Sequence, residues 1–516
     1  MKILSAAIAS IFLVILPSSI VLAADKAASA SATEGINWRK DNDVDAAFAL
    51  AKASHKPLFL YWGAVWCPPC NQVKATIFNR QDFIDKSRHF VPVYLDGDTP
   101  GAQKLAARFK VRGYPTMILL KADGSEITRL PGEVDSERYV QVLTSAMNAS
   151  LSVQDTLKLA LGGSKKLTAE DWSLLADYSW DDPEQKLVSA KELAPTLLRL
   201  SELSPAGLNA TRLYLKAIAA SATVKPGQTA AVIDKAVATD KLIKVLQDNH
   251  TARDNIDLLA GVPVDVVAFL TQAKSESRAK LAAAWNAALV KLADDTTLSK
   301  TDRLGAIGAQ VALVKMDGAK PDAGMQKELK KRVAQIDQAT TDAYERQSVV
   351  NAAAHALGDA GLLDDSDILL KAELKRSHSP YYFMSTLGAN ARQRGDKVAA
   401  VNWYEQAYNA SKGPATRLQW GASYISNMVE LSPADEARIE KAAHAVLSEI
   451  AATENAFYER NRASLERIGK KLNEWNKDGK HQVAVQKVRQ QLDGICARLP
   501  ANDTQRLTCQ NVMAKS

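Results

Sequence analysis

Two cysteines three residues apart, Cys67 and Cys70, enclose Pro68 and Pro69 and follow Trp66. Cysteines at i and i+3 in a first helical turn come close enough to join as a disulfide with little backbone movement. The first of them sits where unsatisfied N–H groups and the helix dipole favour a thiolate. Such a thiolate attacks a substrate disulfide, and the second thiol resolves the mixed disulfide. The spacing therefore assigns the nucleophile to Cys67 and the resolving thiol to Cys70. Pro68 and Pro69 fix φ and lack N–H groups, so they stiffen the turn and leave Cys67 fewer amide donors. The competing readings are a structural disulfide or half of a zinc site. Zinc wants four ligands, and the sequence holds no second close pair.

The flanking elements would have to hold this motif at the end of a strand. Pro57–Gly63 is a short, aromatic-rich apolar run that reads as a buried strand. A helix is expected from the motif through Ile77, preceded by another over Val44–Ser54. Phe90–Leu95 reads as a second strand closed by Asp96-Gly97-Asp98, and Ala102–Phe109 as a helix. Thr116–Leu120 and Ser125–Leu130 form a hairpin around Asp123-Gly124, a favoured turn pair. Ser136–Met147 closes the set as an amphipathic helix with Ser136 at its N-cap.

With these residues in view, Lys56–Met147 resembles the thioredoxin superfamily. The likeness rests on Trp66 and the Cys-Pro-Pro-Cys motif, on Val111-Arg112-Gly113-Tyr114-Pro115-Thr116, and on the hairpin and Gly132. It implies an α/β domain in which Pro115 is a cis-proline opposite the cysteines, an uncommon bond that marks a deliberate turn. Pro115 would present the Tyr114 backbone to an extended substrate and fill the space a metal would need. The implied chemistry is disulfide exchange with protein cysteines, as reductant, oxidant or isomerase, with no cofactor and no metal. Asp96-Gly97-Asp98 and Thr76-Ile77-Phe78 resemble the exported members of the family. One position departs from it: the buried acid six residues before the first cysteine is Tyr61 here. Water and Asp96 remain as substitutes for its proton-transfer role.

Beyond Ser150 the texture becomes helical, rich in Ala, Leu, Lys, Asp and Gln. Helix starts are expected at Thr168, Ser204-Pro205 and Ser432-Pro433. The predicted organisation is a thioredoxin-like domain over 35–150 followed by large all-α helical-hairpin regions over 151–320 and 321–516. Leu387-Gly388, Ala400, Tyr404 and Ala407, with Gly395-Asp396 at the turn, match the packing positions of a tetratricopeptide repeat near 381–414. One period upstream Ala354, Ser366 and Leu370 fit in size, whereas Ala353 is too small and Glu373 too large and charged. An ordinary helical hairpin is the alternative.

Cys496 ends a helical stretch, Pro500–Asp503 reads as a loop and Thr504–Ala514 as a second helix carrying Cys509, so a structural disulfide is expected across this hairpin, worth about 3 kcal/mol by loop closure. A second redox pair is the alternative. The seven histidines form no cluster. His55 and His89 lie near the thioredoxin-like core in sequence and read as surface positions. No phosphate-cradling glycine loop and no Ser/His/Asp arrangement is apparent.

Targeting and composition bound the setting. Lys2, the apolar run Ile3–Leu16 and the small residues at Val21-Leu22-Ala23 read as a cleavable signal over 1–23, followed by a flexible leader over 24–34. The apolar part is shorter than the roughly 20 residues of a spanning helix, so no stable membrane insertion is expected after cleavage. A periplasmic location follows, with secretion as the alternative. The net charge of +7 over 516 residues is spread among acids and does not point to nucleic acid. Helical arrays leave a concave face for a partner, here a client or a membrane partner that resets the redox state. The rival function is a periplasmic adaptor or chaperone in which the thioredoxin-like domain only docks.

Overall fold

A computed structural model of the chain describes residues 35–39, 43–130, 136–149, 151–164, 166–180 and 187–513. The expected signal, the leader and Gly132 lie outside the described residues. Strand β1 (Leu58–Gly63) is buried at all six positions. It sits inside a four-stranded sheet of order β2-β1-β3-β4, where β2 is Val91–Asp96, β3 Thr116–Leu120 and β4 Glu126–Leu130. Both its faces are covered, which is why its apolar run is continuous rather than alternating. β1 pairs parallel with β2 and antiparallel with β3, and β4 pairs antiparallel with β3. A parallel pair needs a crossover, and that crossover carries the Cys-Pro-Pro-Cys motif.

Five helices complete this unit: α1 (Val44–Ser54), α2 (Pro68–Val73), α3 (Gln81–Ser87), α4 (Pro100–Phe109) and α5 (Ser136–Asn148). α1, α4 and α5 fall within two residues of the sequence expectation, α3 has no counterpart in it, and the remaining difference is at α2. There the helix does not run on as α to Ile77 but opens at Lys74 into a π-helical turn through Phe78. Such turns are rare and gather near functional sites. Gly124 takes a left-handed φ of 89° at the hairpin, as the Asp-Gly pair requires.

From Val153 onward the described residues are helical and contain no strand. Thr168 closes a capping box with Asp171 at the helix Ala169–Asp177. The starts expected at Ser204-Pro205 and Ser432-Pro433 come later, at Leu208 and Glu436. In the second case the Asp435 carboxylate caps the Arg438 N–H, a stronger signal than the serine before proline. Helices Tyr381–Gln393 and Lys397–Ala410 form the hairpin anticipated from Gly388 and Tyr404. A Cβ at Gly388 would lie 2.9 Å from the Tyr404 ring, so only glycine allows that approach. In the hairpin before it, Glu373 is buried, but its carboxylate receives the Arg346 guanidinium at 3.0 and 2.7 Å. Pairing makes a charge tolerable at a packing position.

The packing does not pause at residue 150. Tyr139 and Leu143 of α5 share one core with Trp172, Tyr178, Leu200 and Leu213. An ion network reinforces this junction: Arg138 and Arg212 both reach Asp177, at 2.7 and 2.8 Å, and Arg212 also reaches Asp257 at 2.7 Å. At its far end the helical region returns to the sheet domain, where Trp66, Cys67 and Cys70 belong to a core that also contains Tyr381, Trp420 and Leu465.

Candidate active site

Cys67 is the N-cap of α2, with Pro68 and Pro69 in the first turn. Proline there loses no hydrogen bond, because the first N–H groups of a helix have no partner in any case, and its fixed φ suits the helix. The Cys67 Sγ accepts the Cys70 N–H at 3.3 Å and donates toward the Tyr114 carbonyl at 3.5 Å. The Tyr114–Pro115 bond is cis. The structure thus brings Trp66, Cys67, Pro68, Pro69, Cys70, Tyr114 and Pro115 together. The Tyr114 hydroxyl donates to the Gly97 carbonyl at 3.0 Å and accepts from Gln103 at 2.9 Å. Any side chain at Gly97 would overlap the Tyr114 ring.

Both thiols are reduced and buried, Cys67 at 3% exposure and Cys70 at 0%. Burial pushes the Cys67 thiol well above its ordinary pKa, and the neighbouring Cys70 adds to this, while the Cys70 N–H and Arg460 pull the other way. Burial also opposes ionisation of Cys70. There, however, the Cys67 thiol, the Ala64 backbone and the charge of Lys74 prevail, and its pKa falls below the ordinary value. Burial thus opposes a thiolate at Cys67, although the helix N-terminus by itself favours one there, while the contacts of Cys70 favour its ionised form. Tyr61 is buried beside them, its own pKa driven well up by burial and then by Cys70. Its hydroxyl lies against the Cys70 thiol without a hydrogen-bond partner of good geometry. A phenol so held is no general base near neutral pH.

What buries the site is the helical region. Tyr382 stacks on Trp66 with ring centroids 6.4 Å apart. The Arg460 guanidinium lies over both Trp66, at 4.9 Å, and Tyr114, at 4.6 Å. His378 Nε2 is 3.0 Å from the Val65 carbonyl. Trp66 Nε1 donates to Asp98 at 3.1 Å, and the other oxygen of that carboxylate accepts from Thr416. Arg112 pairs with Glu459 at 2.9 Å. Gln72, on the exit side of the motif, donates to Ser299 at 3.1 Å. None of these partners carries a local sequence signal, since they lie hundreds of residues from the motif. Lys74 could have been noticed, standing one turn beyond Cys70.

A family model described as a thioredoxin-like domain matches residues 44–146, which contain the whole of this motif and its cis-proline. Thioredoxin from Mycobacterium bovis is 32% identical over 90 residues, 17% of this chain and 73% of that protein. Through this domain the chain belongs to the thioredoxin family. The thiol:disulfide interchange protein DsbD of Pseudomonas fluorescens is 29% identical over 111 residues, 21% of this chain and 19% of the relative. The disulfide bond reductase DsbH of Chlamydia pneumoniae is 28% identical over 113 residues, 19% of this chain and 66% of the relative. The chain thus spans less than two thirds of the length of these last two relatives.

The histidines expected at the surface, His55 and His89, are exposed. Cys496 and Cys509 are joined to each other, with Cα atoms 5.6 Å apart. They link the helices Gln482–Arg498 and Thr504–Asn511. Among the described residues no cluster of His, Cys, Asp and Glu could hold a metal ion.

Proposed function

We propose that the chain is a thiol–disulfide oxidoreductase that exchanges disulfides with protein cysteines through Cys67 as nucleophile and Cys70 as resolving thiol. One observation carries the reading: Cys67 caps α2 within reach of both the Cys70 N–H and the Tyr114 carbonyl before a cis-proline. That carbonyl can pair with an extended substrate while the thiolate attacks in line. Membership of the thioredoxin family supports the same chemistry, and the name of the chlamydial relative, a disulfide bond reductase, favours the reductive direction.

The redox equilibrium of Cys67/Cys70 against glutathione tests this, read by mass spectrometry of alkylated peptides. A potential near or below about −250 mV marks a reductant needing an electron supply, and one near about −120 mV an oxidant. A pair that does not exchange removes the enzyme and leaves the adaptor reading. The burial of both thiols beneath the helical region gives that second reading its support. Cys67→Ser separates the two, since an adaptor keeps its function without the thiol.

The setting belongs to the same proposal. Export rests on the signal-like residues 1–23 and leader 24–34, ahead of a catalytic unit at 35–150 and helical units at 151–320 and 321–516. Among the described residues no helix is long and apolar enough to cross a membrane. A membrane redox partner would then supply or remove electrons at a periplasmic site. N-terminal sequencing of the exported protein checks cleavage after Ala23.

A further inference from the structure

One buried cation beside the exchanging pair is not a member of its motif. Lys74 stands four residues after Cys70, on the same face one turn on, at the point where α2 opens into the π turn. Its side chain is buried. Its ammonium lies 5.5 Å from the centre of the Tyr94 ring and 5.6 Å from that of Tyr344. Among the described residues no carboxylate lies within ion-pair distance of it. A buried ammonium without a counter-ion is costly, and two ring faces compensate it only in part. Burial accordingly depresses the Lys74 pKa, and what favours its charged form is, in order, Cys70, Asp96 and Cys67.

We propose that Lys74 is the positioning cation of the resolving thiol: its ammonium, caged by Tyr94 and Tyr344 one turn beyond Cys70, holds the thiolate that attacks the mixed disulfide. This rests on the reading of Cys67 and Cys70 as the exchanging pair. In the resolving step the Cys70 thiolate attacks Cys67 Sγ. The bond between Cys67 and the substrate sulfur breaks as the Cys67–Cys70 bond forms. The electron pair leaves on the substrate sulfur, which takes a proton from water. Two electrons pass from the dithiol to the substrate, and Lys74 keeps its protons throughout.

The role falls to Lys74 because Tyr61 stands where an acid would otherwise serve. The titratable groups around Cys70 are Cys67 at the head of α2, Tyr61 from β1, and Tyr94 and Asp96 from β2. The helical region adds Tyr382, with Tyr344 and His378 facing Lys74. Arg460, the other cation, sits on the Cys67 side over Trp66 and Tyr114.

In the full-length protein carrying Cys67→Ser, Cys70 is the remaining free thiol, and its thiolate absorbance against pH gives a midpoint. Adding Lys74→Met should raise that midpoint by about 1 pH unit, and Lys74→Arg should hold it near the parent value. Lys74→Gln serves as a second neutral variant, with thermal unfolding to report that each protein is folded. An unchanged midpoint in a folded neutral variant overturns the proposal. The measurement needs no substrate, so a wild-type pair that fails to exchange with glutathione would remove the functional reading and leave this result standing.

Discussion

Tyr382 of the helical region stacks on Trp66 of the redox motif, their planes 21° apart and their centroids separated by 6.4 Å. The residue beside the nucleophile is thereby covered by the chain's own C-terminal half. Arg460 lies over the same Trp66 ring and over Tyr114, and Cys67 itself is buried. The helical region is therefore part of the wall of the site, not a tether attached behind it.

Access to Cys67 should accordingly depend on contacts remote from the sulfur. In the reduced protein, iodoacetamide should alkylate Cys67 slowly at fixed pH. Glu459→Gln, which breaks the ion pair with Arg112, combined with Tyr382→Ala should raise the rate about tenfold, corresponding to a local opening made easier by 1–2 kcal/mol. A wild-type rate already equal to that of the denatured protein would contradict the covering.

Asp98 should make the fold less stable as the pH rises. Burial, opposed by the Thr416 hydrogen bond, lifts its pKa from 3.8 to about 6. Between roughly pH 4 and 6 the folded state then binds more protons than the unfolded one, so stability falls across that window and is level above it. Asp98→Asn removes the titration. The unfolding temperature of the variant relative to wild type should climb from pH 4 to pH 6 and stay constant beyond, with a ceiling of about 3 kcal/mol. A gap that narrows over the same range would mean that hydrogen bonding, not burial, governs this carboxyl.

The Cys496–Cys509 bridge closes a loop with a separation of 13 residues. Replacing both cysteines by serine should cost about 3 kcal/mol of stability and leave the Cys67/Cys70 potential where it was. A displaced potential would instead make the bridge a second redox pair.

The elements that make the motif were legible because they are local. Leu58–Gly63 is apolar without interruption, Pro68 and Pro69 can only begin a helix, and Asp123-Gly124 can only turn. The Gly388–Tyr404 contact was legible for the same reason, since both lie in one hairpin. The helix starts at Ser204 and Ser432 were misplaced by a few residues, because Gly207 and Asp435 were equally able to set the boundary and packing chose between them.

The sequence by itself determined a strand, a Cys-Pro-Pro-Cys helix start and a proline facing it, and hence the family and its thiol chemistry. Tertiary structure alone decided the surroundings of that chemistry. Thr416 reaches Asp98 across 318 residues, and Tyr382, His378 and Arg460 arrive over similar separations. Such meetings follow from the accumulated crossing angles of some twenty helices, which no window of sequence contains. The same long-range packing sets Tyr344 over Lys74 and excludes water from both thiols. Burial raises the cost of a charge on either sulfur, and the contacts around Cys70 offset it there.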